Sequence, residues 1–195
     1  MIRFFDFMFS FLGIIVLLPL LLIIHLLICI ESKGGGIYKQ LRVGKNGKNF
    51  LVLKFRTMYV ESDKKGLITI GNKDPRITRI GFFLRKYKLD ELPQLFNVLI
   101  GEMSIVGPRP EVRKYVDFYT TEQYKVLSIR PGITDYASIE YIDENCILGN
   151  ADDPDKIYIE QIIPTKIRYN MKYINNYSVL EYFKIIFITL YKIIR

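Results

Sequence analysis

Between Phe7 and Ile30 the chain carries no Asp, Glu, Lys or Arg. A helix of that run is roughly 36 Å long, against an apolar bilayer core of about 30 Å, so the pattern predicts a membrane-inserted segment. A cleaved leader fits poorly, because Asp6 stands where a basic region belongs and no small-x-small site follows. Pro19 sits mid-run, where it removes a backbone donor and presses on the carbonyl of Ile15, so a kink is expected there. Two topologies stay open on these residues: a bent helix crossing once, or a re-entrant one returning to the same face. Lys33, Lys39, Arg42, Lys45 and Lys48 follow the run while only Arg3 precedes it, which by the positive-inside rule puts the body in the cytoplasm.

Beyond the Gly34-Gly35-Gly36 joint the periodicity shortens. Ile37 to Val43 and Phe50 to Met58 read as a β-hairpin around Gly44-Lys45-Asn46-Gly47, whose Asn-Gly pair is a tight-turn signal. Tyr59 to Arg76 is polar and reads as a loop. Ile77 to Lys88 mixes apolar and basic residues at helical spacing, and a further helix is expected over Glu91 to Ile100, with Asp90 as N-cap, Pro93 in the first turn and Gly101 as stop. The segment after Pro110 reads as helix, broken near Thr120 and Thr121 and ended at Arg130-Pro131-Gly132; another starts at Pro154 behind Asp153. Ser178-Val179-Leu180-Glu181 opens the last helix with a capping-box pattern. On that helix Glu181, Lys184, Lys192 and Arg195 fall within an arc of roughly 80° that is expected to face water. Such a helix either packs on the core or lies in a membrane interface.

Composition sharpens this picture. The chain has 195 residues, which suits one domain plus an anchor, and 28 Lys and Arg against 20 Asp and Glu, which points to polyanionic partners. His25 is the one histidine and lies in the apolar run, which argues against a Ser-His-Asp or Cys-His triad and a His-rich zinc site. Cys29 and Cys146 lack metal or redox spacing and read as free thiols. Any metal should therefore be a hard, oxygen-loving ion, which points to Mg²⁺.

The densest polar grouping is Leu89-Asp90-Glu91-Leu92-Pro93-Gln94, two carboxylates at a helix start. The positive end of a helix favours an anion, so Asp90 is expected to stay ionised. Such a pair is also an ordinary helix cap, and its company decides the matter. Lys54, Arg56, Arg79, Arg85, Arg109 and Arg130 each sit at an element end or in a stiffened turn, where side chains converge on ligands. Pro108 and Pro110 freeze the backbone around Arg109 and lower the entropy lost on clamping a phosphate.

Five motifs in order carry a resemblance: Lys54-Phe55-Arg56-Thr57-Met58, Asp74-Pro75-Arg76-Ile77-Thr78, Leu89-Asp90-Glu91-Leu92-Pro93-Gln94-Leu95, the run from Gly101-Glu102-Met103 to Gly107-Pro108-Arg109-Pro110, and Arg130-Pro131-Gly132-Ile133-Thr134. The chain resembles the bacterial sugar transferases called small monotopic phosphoglycosyl transferases. The resemblance implies that Asp90 attacks the β-phosphate of a UDP-sugar and UMP leaves. A phosphosugar then rests on Asp90 until polyprenyl (undecaprenyl) phosphate takes it. It also implies that Glu91 holds Mg²⁺, that Lys54, Arg85 and Arg109 meet the phosphates, and that the anchor is re-entrant at Pro19. The implied fold is α+β and helix-dominated: a re-entrant membrane helix over residues 1–33, then a catalytic domain over 34–195. That domain has a small β-hairpin and interfacial amphipathic helices around a cytoplasmic core, at the bacterial inner membrane. Partners are the UDP-sugar, the polyprenyl phosphate and the bilayer, with no nucleic acid and a homodimer left open.

Two positions depart from the family pattern. Leu18 replaces a frequent serine before Pro19, and Asp135-Tyr136-Ala137-Ser138-Ile139-Glu140-Tyr141-Ile142 replaces a Gly-x-Ala-Gln stretch followed by a Gly-Arg pair, which implies a different donor subset. Two other readings compete: a basic membrane-tethered binding protein, and a glycosyltransferase using Asp153-Pro154-Asp155 as a metal-binding D-x-D. A plain helix start explains the latter tripeptide better.

Overall fold

The structure, a computed structural model, describes residues 1–62, 74–140, 147–148 and 153–194. Much of the expected 59–76 loop, together with Tyr141, Ile142, Cys146 and Arg195, lies outside the described residues. The architecture is helix-dominated with little sheet.

The apolar run forms helix α1, Ile2–Glu31, with Pro19 inside it. Its buried residues fall in two groups, Ile2, Asp6 and Ser10 near the start and Leu21, Ile24 and Ile28 near the end; none lies between. The first group meets the body through Arg3, whose guanidinium donates to the carbonyls of Val98 and Leu99, and through Asp6. All three donors to Asp6 reach its Oδ1: Ser104 Oγ at 2.9 Å, Ile105 N at 3.0 Å and Tyr182 OH at 2.9 Å. The second group packs on Phe55 and Leu84. Cys29 is a free thiol, as expected.

The hairpin forms as expected, with β1 (Ile37–Val43) antiparallel to β2 (Asn49–Phe55). Its turn works because Asn46 (φ 57°) and Gly47 (φ 73°) take left-handed backbone, which these two residue types tolerate. Strand β2 stops at Phe55; Met58 instead bridges Ile77. Helix α2 (Arg79–Lys86) follows, its Thr78 hydroxyl capping Gly81 N. The helix expected over Glu91 to Ile100 is corrected: Leu89–Glu91 form a separate 3₁₀ turn, and α3 spans Gln94–Ile100 behind Pro93. Left-handed Lys88 (φ 57°) parts the turn from α2, Pro93 brings no N–H to carry the turn on into α3, and Asp90 caps no described residue. Gly101 (φ 93°) stops α3, as its lack of Cβ suits.

A short parallel pair was not foreseen: β3 (Ser104–Val106) lies beside β4 (Gly132–Thr134). Here the backbones touch so closely that a Cβ on Gly107 would strike the Arg130 carbonyl and one on Gly132 the Gly107 backbone. Helix α4 (Arg113–Val116), a 3₁₀ turn at Gln123–Ser128, α5 (Tyr136–Glu140) and α6 (Pro154–Ile157) follow. Asp153 caps Lys156 N at 3.1 Å, the plain helix start. A π-turn at Tyr158–Ile162 leads into α7 (Ile163–Asn175).

Helix α8 (Val179–Ile194) buries Tyr182 and Ile185 in the core with Ile2, Val106, Ile139 and Tyr173. Its polar stripe reaches water as expected at Lys184 and Lys192, both exposed, while Glu181 accepts from Tyr136 and Lys192 Nζ donates to the Ile139 carbonyl along α5; apolar side chains are exposed on this helix as well, with Leu180 81 % and Phe187 67 % exposed. A second core joins Val112, Tyr115 and Val126 to Ile162 and Ile167. Leu84 is 2 % exposed, and truncating it to Ala would cost roughly 2–5 kcal/mol.

Candidate active site

A cleft of about 1590 Å³ opens between the hairpin, the 3₁₀ turn, the Arg109 loop and α7; Lys54, Arg85, Asp90, Glu91, Arg109 and Asp135 line it. Strand β2 brings Lys54, α2 brings Arg85, and the tight turn after left-handed Lys88 sets the two carboxylates on the wall.

The neighbours Asp90 and Glu91 live in opposite surroundings. Glu91 is clasped by cations: Lys54 Nζ lies 3.2 Å from Oε1, and Arg109 forks onto both oxygens, with Nη1 3.2 Å from Oε2. Burial works against its charge, but Arg109 and Lys54 outweigh it and hold the carboxyl far below the usual carboxylate range. Asp90 is 9 % exposed, and no described residue donates a hydrogen bond to it. Burial, and then the charge of Glu91, push its carboxyl up, against the pull of Lys54, Arg85 and Arg109. The helix dipole expected to act on Asp90 is corrected, since α3 begins only at Gln94; the charges that favour its ionised form are those of Lys54, Arg85 and Arg109. Burial and Arg109 bring the Lys54 ammonium down to about 8.

Of the six basic residues singled out, four line the cleft, Lys54, Arg56, Arg85 and Arg109, and three of these, Lys54, Arg85 and Arg109, act on the carboxylates. Arg85 is aimed by Thr57, whose Oγ1 accepts from its Nε at 2.8 Å. The other three do not approach the carboxylates, although Arg56 lines the cleft. Arg56 turns to the exit of α1, donating to the carbonyls of Lys33 (2.5 Å), Ser32 (2.9 Å) and Gly34 (3.3 Å). Arg79 is exposed at the start of α2, outside the cleft lining. Arg130 donates to the Gly101 carbonyl at 2.8 Å and borders a different hollow beside Arg3.

Several residues that hold the site were not singled out. Arg42 Nη1 donates to the Pro110 carbonyl at 3.2 Å, Val43 N to the Glu111 carbonyl at 2.8 Å, and Asp135 to Ser138 close the other side of the loop. Asp135 three residues before Ser138 N has the spacing of a helix cap, a signal the sequence does carry. For Arg42 there was none, since its contact with the Arg109 loop joins residues far apart in sequence.

Among the described residues no group of three or more His, Cys, Asp or Glu side chains gathers as a metal cage. Asp90 and Glu91 supply two adjacent hard donors, the kind of partial set that Mg²⁺ accepts when phosphates and water complete its shell.

Comparison with known proteins agrees with the motifs. The family model described as Bacterial sugar transferase matches residues 1–195. The "UDP-glucose:undecaprenyl-phosphate glucose-1-phosphate transferase" of Klebsiella pneumoniae is 38 % identical over 195 residues, 96 % of this chain and 38 % of its own. The "UDP-N-acetylgalactosamine-undecaprenyl-phosphate N-acetylgalactosaminephosphotransferase" of Aeromonas hydrophila is 40 % identical over 164 residues, 82 % of this chain and 36 % of its own. The "Exopolysaccharide production protein PSS" of Rhizobium leguminosarum bv. phaseoli is 37 % identical over 192 residues, 95 % of this chain and 90 % of its own. The chain thus spans well under half of the first two relatives and most of the third. With the five motifs lying along the hairpin, the acidic turn and the Arg109 loop, and the match running from the first residue to the last, the chain belongs to the bacterial sugar transferase family.

Proposed function

We propose that the chain transfers a sugar 1-phosphate from a UDP-sugar to polyprenyl phosphate and releases UMP. The observation that carries this reading is the buried Asp90, to which no described residue donates a hydrogen bond, beside Lys54, Arg85 and Arg109 in one cleft. A carboxylate oxygen that attacks phosphorus needs a lone pair not committed to a donor, and Asp90 has it next to the cations that would meet the phosphates. An Asp90 oxygen forms a bond to the β-phosphorus, the bond from that phosphorus to the bridging oxygen breaks, and UMP departs with the electron pair. Then an oxygen of polyprenyl phosphate attacks the same phosphorus and Asp90 leaves, ready for another cycle. Phosphoryl transfer depends on alignment and charge neutralisation, which suits a site of arginines, a lysine and carboxylates without histidine. Glu91 holds Arg109 and Lys54 until the diphosphate takes them over. Glu91, with Asp90 beside it, would then hold Mg²⁺, which when bound offsets charge on the departing phosphate.

The anchor reading is monotopic. Arg3 and Asp6 at one end of α1 and Ile28 and Glu31 at the other all contact the same body, whereas the stretch holding Pro19 buries nothing. A straight spanning helix would carry Arg3 to the far side of the bilayer, away from its partners on α3. Exposed Leu180 and Phe187 on α8, with Phe82 and Phe83 on α2, supply apolar surface suited to lying in the interface. The basic excess after α1 puts the body on the cytoplasmic face.

Intact-protein mass spectrometry tests the covalent step: the detergent-solubilised chain is incubated with Mg²⁺ and a panel of UDP-sugars, beside Asp90→Asn. A sugar-phosphate increment on the wild type, absent from the variant, is expected. UMP release without any increment would point to direct transfer, and no release with any donor would return the chain to a binding role.

A further inference from the structure

Asp135 stands where the family pattern has glycine, at the N-terminus of α5, and its side chain does more than cap that helix. Capping needs one oxygen, and Oδ1 supplies it, accepting from Ser138 N at 2.6 Å. Its Oδ2 is used differently: it accepts from Arg109 N at 3.1 Å and from Asn170 Nδ2 at 2.8 Å. Arg109 N is the single backbone donor between Pro108 and Pro110, because a proline has no N–H. Asp135 therefore takes the one amide by which the tip of the loop can be held. Asn170 is 5 % exposed on α7, and its Oδ1 is buried without a partner among the described residues, where its amide bonds to Asp135 alone. Burying an amide that leaves one oxygen unpaired costs stability, and the return visible here is a fixed orientation of the Asp135 carboxylate. The other side of the loop is already pinned by Arg42 and Val43 on β1. Arg109 is the cation that forks onto Glu91.

We infer that Asp135, braced by Asn170, is a positioning residue: it fixes the backbone of Arg109 and so sets where that guanidinium meets the phosphates of the nucleotide-sugar donor. The kinetic part of this inference rests on the transferase reading above; its structural part does not. The pair gives this chain its own means of steadying the loop, in the same stretch where the arginine frequent in the family is missing.

Asp135→Ser separates the two jobs, because serine still caps Ser138 N while its short side chain cannot also hold Arg109 N and Asn170. In the full-length chain, hydrogen–deuterium exchange at the Arg109 amide is read by difference between overlapping peptides that begin well before Pro108. Exchange there should quicken roughly tenfold in Asp135→Ser and less in Asn170→Ala, the loss expected for a hydrogen bond to a charged group. UMP release from a UDP-sugar should show kcat/KM about tenfold lower in Asp135→Ser, and no further loss when the same change is made in Arg109→Ala. Unchanged exchange at Arg109 overturns the proposal, and so does an Asp135→Ser penalty of equal size with and without Arg109, which marks a role in folding alone. If the wild type releases no UMP from any donor, the transferase reading fails and exchange at Arg109 still decides the role of Asp135.

Discussion

Two buried aspartates show how the same side chain serves opposite ends. Asp6, at the start of α1, is 1 % exposed, and three donors from β3 and α8 converge on its Oδ1. Asp90 is nearly as buried, and among the described residues nothing donates to it. A carboxylate saturated with donors is spent on structure, tying the anchor to the body. One left bare keeps its lone pairs for chemistry and carries the cost of desolvation, a common bargain between stability and activity.

The largest effect that tests this contrast is Asp90→Asn. UMP release should fall at least about a thousandfold, as expected when a nucleophile is removed. Because Asn carries no charge to desolvate, the melting temperature should rise; a variant that keeps its activity, or that is less stable, breaks the contrast. Glu91→Gln comes next. It strips Lys54 and Arg109 of their shared counter-charge, and losing one partner of such a buried cluster costs roughly 3 kcal/mol, readable by denaturant unfolding, together with a fall in kcat. Asp6→Ala should lower stability by roughly 2–4 kcal/mol by orphaning three donors, while kcat of the folded fraction stays within about twofold.

The pH profile follows from the same surroundings. Since the Asp90 carboxyl is raised, the folded chain binds a proton there before the unfolded chain does. Its contribution to stability therefore grows as pH falls through the folded pKa, while kcat/KM declines over that interval, earlier than for an ordinary carboxylate. Lys54, lowered to about 8, gives the alkaline limb: kcat/KM declines above about pH 8, while its contribution to stability rises with pH from there to its unfolded value. In Lys54→Arg the alkaline limb should move upward, and a limb that stays in place assigns it to another group. The smallest effect is Asp153→Asn, since Asn caps α6 as well as Asp does; activity and melting temperature should barely change.

How legible the site was depended on how local its causes are. The acidic pair, the proline-framed Arg109 and the hairpin turn each follow from neighbours in sequence. Arg56 lines the cleft, yet β2 ends at Phe55 rather than at Met58, and its guanidinium is spent on carbonyls at the exit of α1, far from it in sequence. Asp90 misled in its electrostatics: an N-cap seemed to await a helix dipole, yet Pro93 delays α3, and burial raises the carboxyl instead.

The sequence by itself determined the apolar anchor, the hairpin and its turn, the family motifs and which residues could do phosphoryl chemistry, because these rest on composition and on spacing of a few residues. Only the tertiary structure decided which cations meet the carboxylates, that β3 pairs with β4, that both ends of α1 dock on one body, and that Asp135 reaches Arg109 and Asn170. Those contacts join residues far apart along the chain, and their energies depend on burial, which no local pattern encodes.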